Sequence, residues 1–290
     1  MAVRPIYEVR ESAPFFNVIN VEFEWNGGFA KSQKQKNIRA IHDNYQSQRP
    51  DKKVLEISSK SMQEGGESLS AFFLPKYVPE LGKSVPVECV FQAGKTFQNG
   101  GPYKDLLSVI PREAKRDDRL KNSGRLLSFM FDGQEYPLIP KTIFYDYIYM
   151  NALLENQELA KIALQYDAFT DVEFNPEKSL NCQAKAAATF VALSRMGLVE
   201  QVKEFGSFLA LYRLEASKML KNSENTSTEE KISYTSVNIQ TGNTICHKKY
   251  GKGVIEKIED TVIVVRFPEV GEKKLGLKWC VQNCKINKRL

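Results

Sequence analysis

Histidine is nearly absent from this chain: there are two in 290 residues, His42 and His247. A multi-histidine metal centre has too few ligands here, and a Ser–His–Asp triad has little to draw on. Cysteine is scarce as well. The five, at 89, 182, 246, 280 and 284, are odd in number and scattered in spacing, which argues against a disulfide framework. Cys280 and Cys284, with His247 as nearest third ligand, lack the spacing of a zinc knuckle or ribbon and read as ordinary reduced thiols. No run approaches the ~20 apolar residues that span a bilayer, and the opening MAVRPIYEVRESAP lacks the apolar core of a signal peptide. The expectation is a soluble, cytoplasmic protein with no membrane partner, no metal and no cofactor. If it is an enzyme, carboxylates and lysines must do the chemistry.

What is present suits two domains. Net charge is +6, but unevenly placed: residues 231–290 hold twelve Lys/Arg against five Asp/Glu, so the remainder is close to neutral. A basic C-terminal module points to an acidic partner, nucleic acid being the commonest. Residues 221–233, KNSENTSTEEKIS, carry no apolar period and read as a linker. The expected division is therefore 1–220, a linker over 221–235, and 236–290. Short β-rich runs at Thr244–Cys246, Val254–Ile258, Val262–Phe267 and Lys274–Leu277 describe a small β-barrel.

Within 1–220, strict alternation predicts a strand over 18–26, ended by Asn26-Gly27-Gly28. Ser32 offers an N-cap for a helix over 33–46 with Ile38, Ile41 and Tyr45 on one face. Val54–Ser58 reads as a strand. Pro86 opens a helix to about Phe97, and Pro111 opens another to Gly124. A hairpin is expected around Asp132-Gly133, helices over 141–155 and 157–165, an extended piece at Phe169–Phe174, and helices over 182–196 and 198–220.

Two groups of residues invite chemistry. Glu88, Gln92 and Lys95 fall at i, i+4 and i+7, on one face of the expected 86–97 helix. Such a stripe equally suits a solvated amphipathic helix. Lys34 and Lys36 crowd the start of the 33–46 helix, with Lys31 before them and Arg39 beyond. Cations there oppose the helix dipole at about 0.3–1 kcal/mol each, while the free amides attract anions. A pyrophosphate or DNA phosphate would reconcile the two; screened surface lysines are the alternative.

The run Glu56-Ile57-Ser58-Ser59-Lys60, then Gly66 and Leu69-Ser70-Ala71-Phe72, resembles the opening of the NADAR family of N-glycoside hydrolases. Val87-Glu88-Cys89-Val90-Phe91-Gln92-Ala93-Gly94-Lys95-Thr96-Phe97 is similar to that family's central signature, Ala114-Lys115-Arg116 to its "AKR" helix, and Val172-Glu173 to a late position. Gly28 to Ile38, Gly100-Gly101-Pro102-Tyr103 and Pro140-Lys141-Thr142 resemble the subfamily encoded beside DarT-type DNA ADP-ribosyltransferases. The resemblance spans about 15–200. There are departures: Cys89 stands where the family has histidine, Ala71 where it has asparagine, and Asn175–Ala184 replaces its late Trp-Gly motif.

The resemblance implies an α+β, mainly helical NADAR (YbiA-like) domain. It also implies hydrolysis of the N-glycosidic bond between ADP-ribose and guanine in DNA, so that ADP-ribosylated DNA is the substrate and a cognate DarT-type toxin the partner. Oxocarbenium character at the ribose C1 wants a carboxylate, for which Glu88, Glu173 and Asp171 are the candidates. A lysine (Lys34, Lys60 or Lys95) would alternatively capture the opened aldehyde as an imine. Lys36, Ser70, Phe72, Gln92, Lys95 and Tyr103 are the expected binding residues, the aromatics holding a base. Two other readings stay open: an N-glycosidase on a ribosylated intermediate of riboflavin synthesis, and a non-catalytic ADP-ribose reader or toxin-blocking protein. The C-terminal run Ile245–Ile255 with Gly271-Glu272-Lys273-Lys274-Leu275 is similar to the Tudor/SH3-like tail of UvrD/PcrA helicases, an interaction module, which implies a protein partner for that part.

Overall fold

The alternating run near the N-terminus forms half of a hairpin whose other half lies at the very start of the chain. In the computed structural model, β1 (Ala2–Val9) and β2 (Phe16–Phe23) pair antiparallel from Ala2↔Phe23 to Val9↔Phe16. The structure describes residues 1–28, 30–176, 181–212, 241–247, 250–259, 262–276, 280 and 285–287. Two compact units result, 1–222 and 223–290. The linker expected over 221–235 lies outside the described residues.

In the first unit, β9 (Ala168–Thr170) pairs antiparallel to β1 and parallel to β3 (Val54–Glu56), giving the order β2-β1-β9-β3. The sequence reading missed β1, which contains Pro5. Proline is tolerated there because β9 pairs with β1 only at Tyr7 and Glu8, beyond it. Helix α1 (Lys31–Gln48) buries Ile38, Ile41 and Tyr45 against Ile6, Val21, Phe23, Val54 and Ala168 of the sheet. Each buried isoleucine, valine and phenylalanine among these contributes about 1.5–3 kcal/mol through removal from water. Ser32 is not the N-cap. Ala30 holds that position without a side-chain bond. The helix entry is set instead by buried Asn37, whose Oδ1 accepts from the Asn26 backbone N–H (2.7 Å) and whose Nδ2 donates to the Asn26 carbonyl (3.0 Å).

The sheet's other partners belong to a larger core. β4 (Pro75–Val78) and β5 (Lys83–Pro86) form a hairpin leading directly into α2 (Val87–Ala93), all seven residues of which are buried. The expected 86–97 helix therefore ends early. Gly94 follows, its carbonyl accepts the Met130 N–H (2.7 Å), and Lys95–Phe97 becomes strand β6. Strand pairing with β7 (Leu126–Phe131) outcompetes the helix there. β7 and β8 (Gln134–Tyr136) are the expected hairpin, with Asp132 and Gly133 at φ 48° and 71°, the signature of a type I′ turn. The 111–124 helix is split into α3 (Pro111–Arg116) and α4 (Arg119–Asn122) by extended Asp117, whose carboxylate takes the Arg119 N–H (2.9 Å). Helices α5 (Ile143–Glu155), α6 (Gln157–Ala163) and α7 (Gln183–Arg195) lie where expected. The 198–220 helix is replaced by a 3-10 turn at Val199–Val202 and helical residues 205–212; its remainder is outside the described residues. The unit is α+β, but sheets of four, two and three strands share the framework with the helices, so it is less helical than expected.

The second unit is an antiparallel sheet in the order β13-β12-β11-β10-β14, built from β10 (Thr244–His247), β11 (Gly251–Glu259), β12 (Val262–Phe267), β13 (Gly271–Gly276) and β14 (Lys285–Asn287). Ile245, Ile255, Ile263, Val265, Phe267 and Cys280 form its core. The strands match the expected runs, but among the described residues the sheet does not close into a barrel: β13 pairs only with β12, and β14 only with β10. None of the four described cysteines is in a disulfide, and no helix among the described residues is long and apolar enough to cross a membrane.

Candidate active site

The parallel strands β3 and β9 end side by side, with Glu56 opposite Thr170. Glu56 is fully buried. Its carboxylate accepts the Thr170 hydroxyl (2.6 Å) and the Val172 N–H (2.9 Å). Behind Thr170, His42 of α1 places Nε2 2.9 Å from the same hydroxyl oxygen. Burial pushes His42 down to about 4, so it is neutral. Asp171 follows, half-buried, accepting the Glu173 N–H (3.0 Å) and the Gln183 side-chain amide (2.9 Å). Desolvation, then the charge of Glu56, pushes Asp171 up to about 8.

A second row stands on α2. Lys95 donates to Gln92 (2.7 Å), Gln92 donates to Glu88 (2.8 Å), and Lys115 of α3 lies 3.5 Å from the same Glu88 oxygen. The Lys115 ammonium also lies 5.2 Å from the centre of the Phe72 ring. Glu88 and Gln92 are buried. Burial lowers Lys95 to about 8; Glu88 opposes that shift and Lys115 adds to it.

Gln183 joins the two rows. Its Nε2 donates to Asp171 (2.9 Å) and the Ile57 carbonyl (2.7 Å), while its Oε1 accepts the Ala71 N–H (2.7 Å). The Ala71 carbonyl in turn accepts the Glu88 N–H (2.9 Å). Buried Tyr145 feels both carboxylates: its hydroxyl is pushed well above the usual phenol range by desolvation first, then by Glu88, and further by Asp171. Two glycines let the surrounding loops close on these groups. A Cβ on Gly66 would fall 2.3 Å from the Glu56 carbonyl, and one on Gly101, at φ 83°, would fall 2.3 Å from that of Lys95.

Residues 2–222 match the family model of the DarT1-associated NADAR antitoxin. The chain belongs to that family. No curated protein matches it. NADAR proteins are N-glycosidase-type hydrolases, and the match extends beyond the resemblance at 15–200 to include β1 and helical residues 205–212.

Within this NADAR unit the expected residues fall into four groups. Glu88, Gln92, Lys95 and Phe72 converge, and Asp171 joins them through Gln183. Glu173 and Lys34 pair with each other at 3.4 Å beside Asp171, and Lys34 lies 5.0 Å from the Trp25 ring. Lys60 is half-buried; its ammonium donates to Ser59 (2.7 Å) and its carbonyl receives the Gln35 amide (3.5 Å). The remaining three stand apart. Lys36 is exposed on α1. Ser70 is buried in the 69–74 turn, where its hydroxyl accepts the Phe72 N–H (3.3 Å). Tyr103 packs on Phe97, with Arg119 4.5 Å from its ring centre and its hydroxyl bonded to Ser123, and has no described contact with the Glu88 row. Sequence reasoning missed Glu56, Thr170, His42, Gln183 and the place of Lys115. The available signal was Glu56 itself, a carboxylate inside the apolar strand Val54-Leu55-Glu56-Ile57, where burial of a charge calls for a reason. Among the described residues no group of His, Cys, Asp and Glu is arranged to hold a metal ion.

Proposed function

We propose that this protein hydrolyses the N-glycosidic bond between ADP-ribose and a guanine base in DNA, and thereby acts as antitoxin to a DarT-type DNA ADP-ribosyltransferase. The observation that carries the reading is the Gln183 bridge. It ties one carboxyl group, Asp171, to the turn that holds another, Glu88, so that both flank the same family motif. Glycosidic cleavage builds positive charge at the ribose C1, which a carboxylate stabilises, and needs a proton for the leaving nitrogen. Glu88, held by Gln92 and Lys115, is suited to the first task. Phe72 with Lys115 above its ring offers a flat face for a base and a cation for a phosphate. Lys95, lowered to about 8, has roughly a tenth of its amine uncharged at pH 7, enough to compete for an aldehyde. The basic second unit is read as an accessory that raises affinity for DNA or a protein partner.

The test is release of ADP-ribose from an oligonucleotide bearing one ADP-ribosylated guanine, in the presence of EDTA. Multiple turnover supports the reading. Turnover of a riboflavin intermediate in its place, or neutralisation of the toxin only at stoichiometric ratio without release, would overturn it.

A further inference from the structure

Glu56 is buried with nothing in the proposed reaction for it to do. Three carboxyl groups, Glu56, Asp171 and Glu173, cluster where β3 and β9 end, and the one salt bridge to them among the described residues, Lys34 at 3.4 Å, goes to the outermost, Glu173. Two adjacent carboxyls held out of water, with no cation paired to either among the described residues, do not both ionise. Burial pushes both of them upward, and their hydrogen bonds decide which one ionises. Glu56 receives the hydroxyls of Thr170 and Ser58 and the Val172 N–H, and neutral His42 stands behind Thr170, where an Nε2–H leaves the threonine proton directed at Glu56. Asp171 receives only one N–H and one side-chain amide, and its residue is half-buried where Glu56 is fully buried. The other titratable groups around Asp171, namely Tyr7 on β1, Tyr145 and Tyr149 on α5, and Cys182 beside α7, are all shifted upward and stay neutral.

We propose that Glu56 is the ionised neighbour of Asp171, held so by Thr170 and His42, and that its charge keeps Asp171 as a carboxylic acid that serves as general acid. The assignment rests on the glycohydrolase reading above. In the step, the bond from the ribose C1 to the guanine nitrogen breaks, its electron pair stays on nitrogen, and nitrogen takes the Asp171 proton. Water supplies the oxygen that bonds to C1. Its proton passes to Glu88 and returns through solvent to Asp171, so one water is consumed and the enzyme is unchanged.

Lys95 titrates in the same range as Asp171, so a rate profile alone does not separate them. The experiment is isotope-edited infrared spectroscopy of the full chain with carboxyl-labelled aspartate, run beside the oligonucleotide assay. At pH 7 a protonated-aspartate band is expected that disappears in Asp171→Asn. An acid acts only while protonated, so the band and kcat/KM both fall as pH rises through about 8. Glu56→Gln removes the neighbouring negative charge, so the band's midpoint and the alkaline limb of kcat/KM move to lower pH by about one unit or more. If Glu56→Gln does not fold, Thr170→Val serves: losing its hydroxyl donor, Glu56 takes the proton and the aspartate band at pH 7 is lost, while Thr170→Ser retains it. Turnover without the band, or a band midpoint unmoved in Glu56→Gln, overturns the assignment and leaves the glycohydrolase reading intact. A band that behaves as expected in a protein that releases no ADP-ribose overturns the acid role together with that reading.

Discussion

On the glycohydrolase reading, replacing Glu88 by Gln should separate catalysis from stability. The amide is isosteric, and its oxygen still accepts the Gln92 N–H now 2.8 Å from Glu88. What is lost is the ion pair to Lys115 at 3.5 Å, whose lysine is 57% exposed, so solvent screening holds its worth to about 0–1 kcal/mol. For a unit of this size that is a Tm change of at most about 2–4 °C. Loss of a charge that stabilises the transition state costs far more: about 100-fold in kcat, or about 2.7 kcal/mol. Lys95 reports the same change independently. Glu88 now supports its protonated form, so in Glu88→Gln its pKa falls below about 8. The assay is steady-state release of ADP-ribose from a modified oligonucleotide, with thermal unfolding of the same preparation. Unchanged kcat with a raised KM would show that Glu88 only binds. A Tm fall well beyond 4 °C would show that Glu88 holds the fold, refuting the separation.

Borohydride added during turnover, followed by mass spectrometry, should trap ADP-ribose on Lys34, Lys60 or Lys95 if an imine forms; turnover without any adduct removes the covalent route and leaves these lysines as charge or phosphate contacts. Deleting 223–290 should preserve kcat on a short oligonucleotide, while binding to long DNA weakens and its salt dependence becomes shallower by nearly one unit per lost phosphate contact. Loss of kcat on truncation would make the second unit part of the catalytic architecture, and an unchanged salt slope would point its basic face to a protein partner. Asn37→Leu, which removes the hydrogen bonds between α1 and Asn26, should cost about 2–3 kcal/mol in chemical denaturation; a change under about 0.5 kcal/mol would show that the latch is dispensable.

What was legible in the sequence is what short spacing encodes. The buried face of α1 follows from Ile38, Ile41 and Tyr45, and the Asp132-Gly133 hairpin from its turn chemistry. The Glu88, Gln92 and Lys95 row was readable for the same reason, although Lys95 reaches it from a strand: pairing of β6 with β7, about thirty residues on, is not written in the local period. The carboxyl pair was out of reach. Glu56 meets Thr170 across a separation of 114 residues, and His42 meets it across 128. Nothing in the neighbourhood of any of the three signals the others. Gln183 likewise serves Ala71 from 112 residues away, inside the segment that departs from the family pattern.

The parallel pairing of β3 with β9 has a consequence in time. Residues 57–167 must all be made before Thr170 can reach Glu56. At about 5–20 residues per second that is an interval of roughly 6–22 s between emergence of the two strands. Closing so long a loop adds little to the equilibrium cost, which grows only with the logarithm of its length, but contacts between distant residues slow the search for the native arrangement. During synthesis the hairpin β1–β2 and helix α1 can associate early, while the carboxyl pair stays apart until the chain has passed residue 170. A growing chain therefore carries no complete Glu56–Thr170 contact until β9 has been made, however early the rest of the sheet assembles.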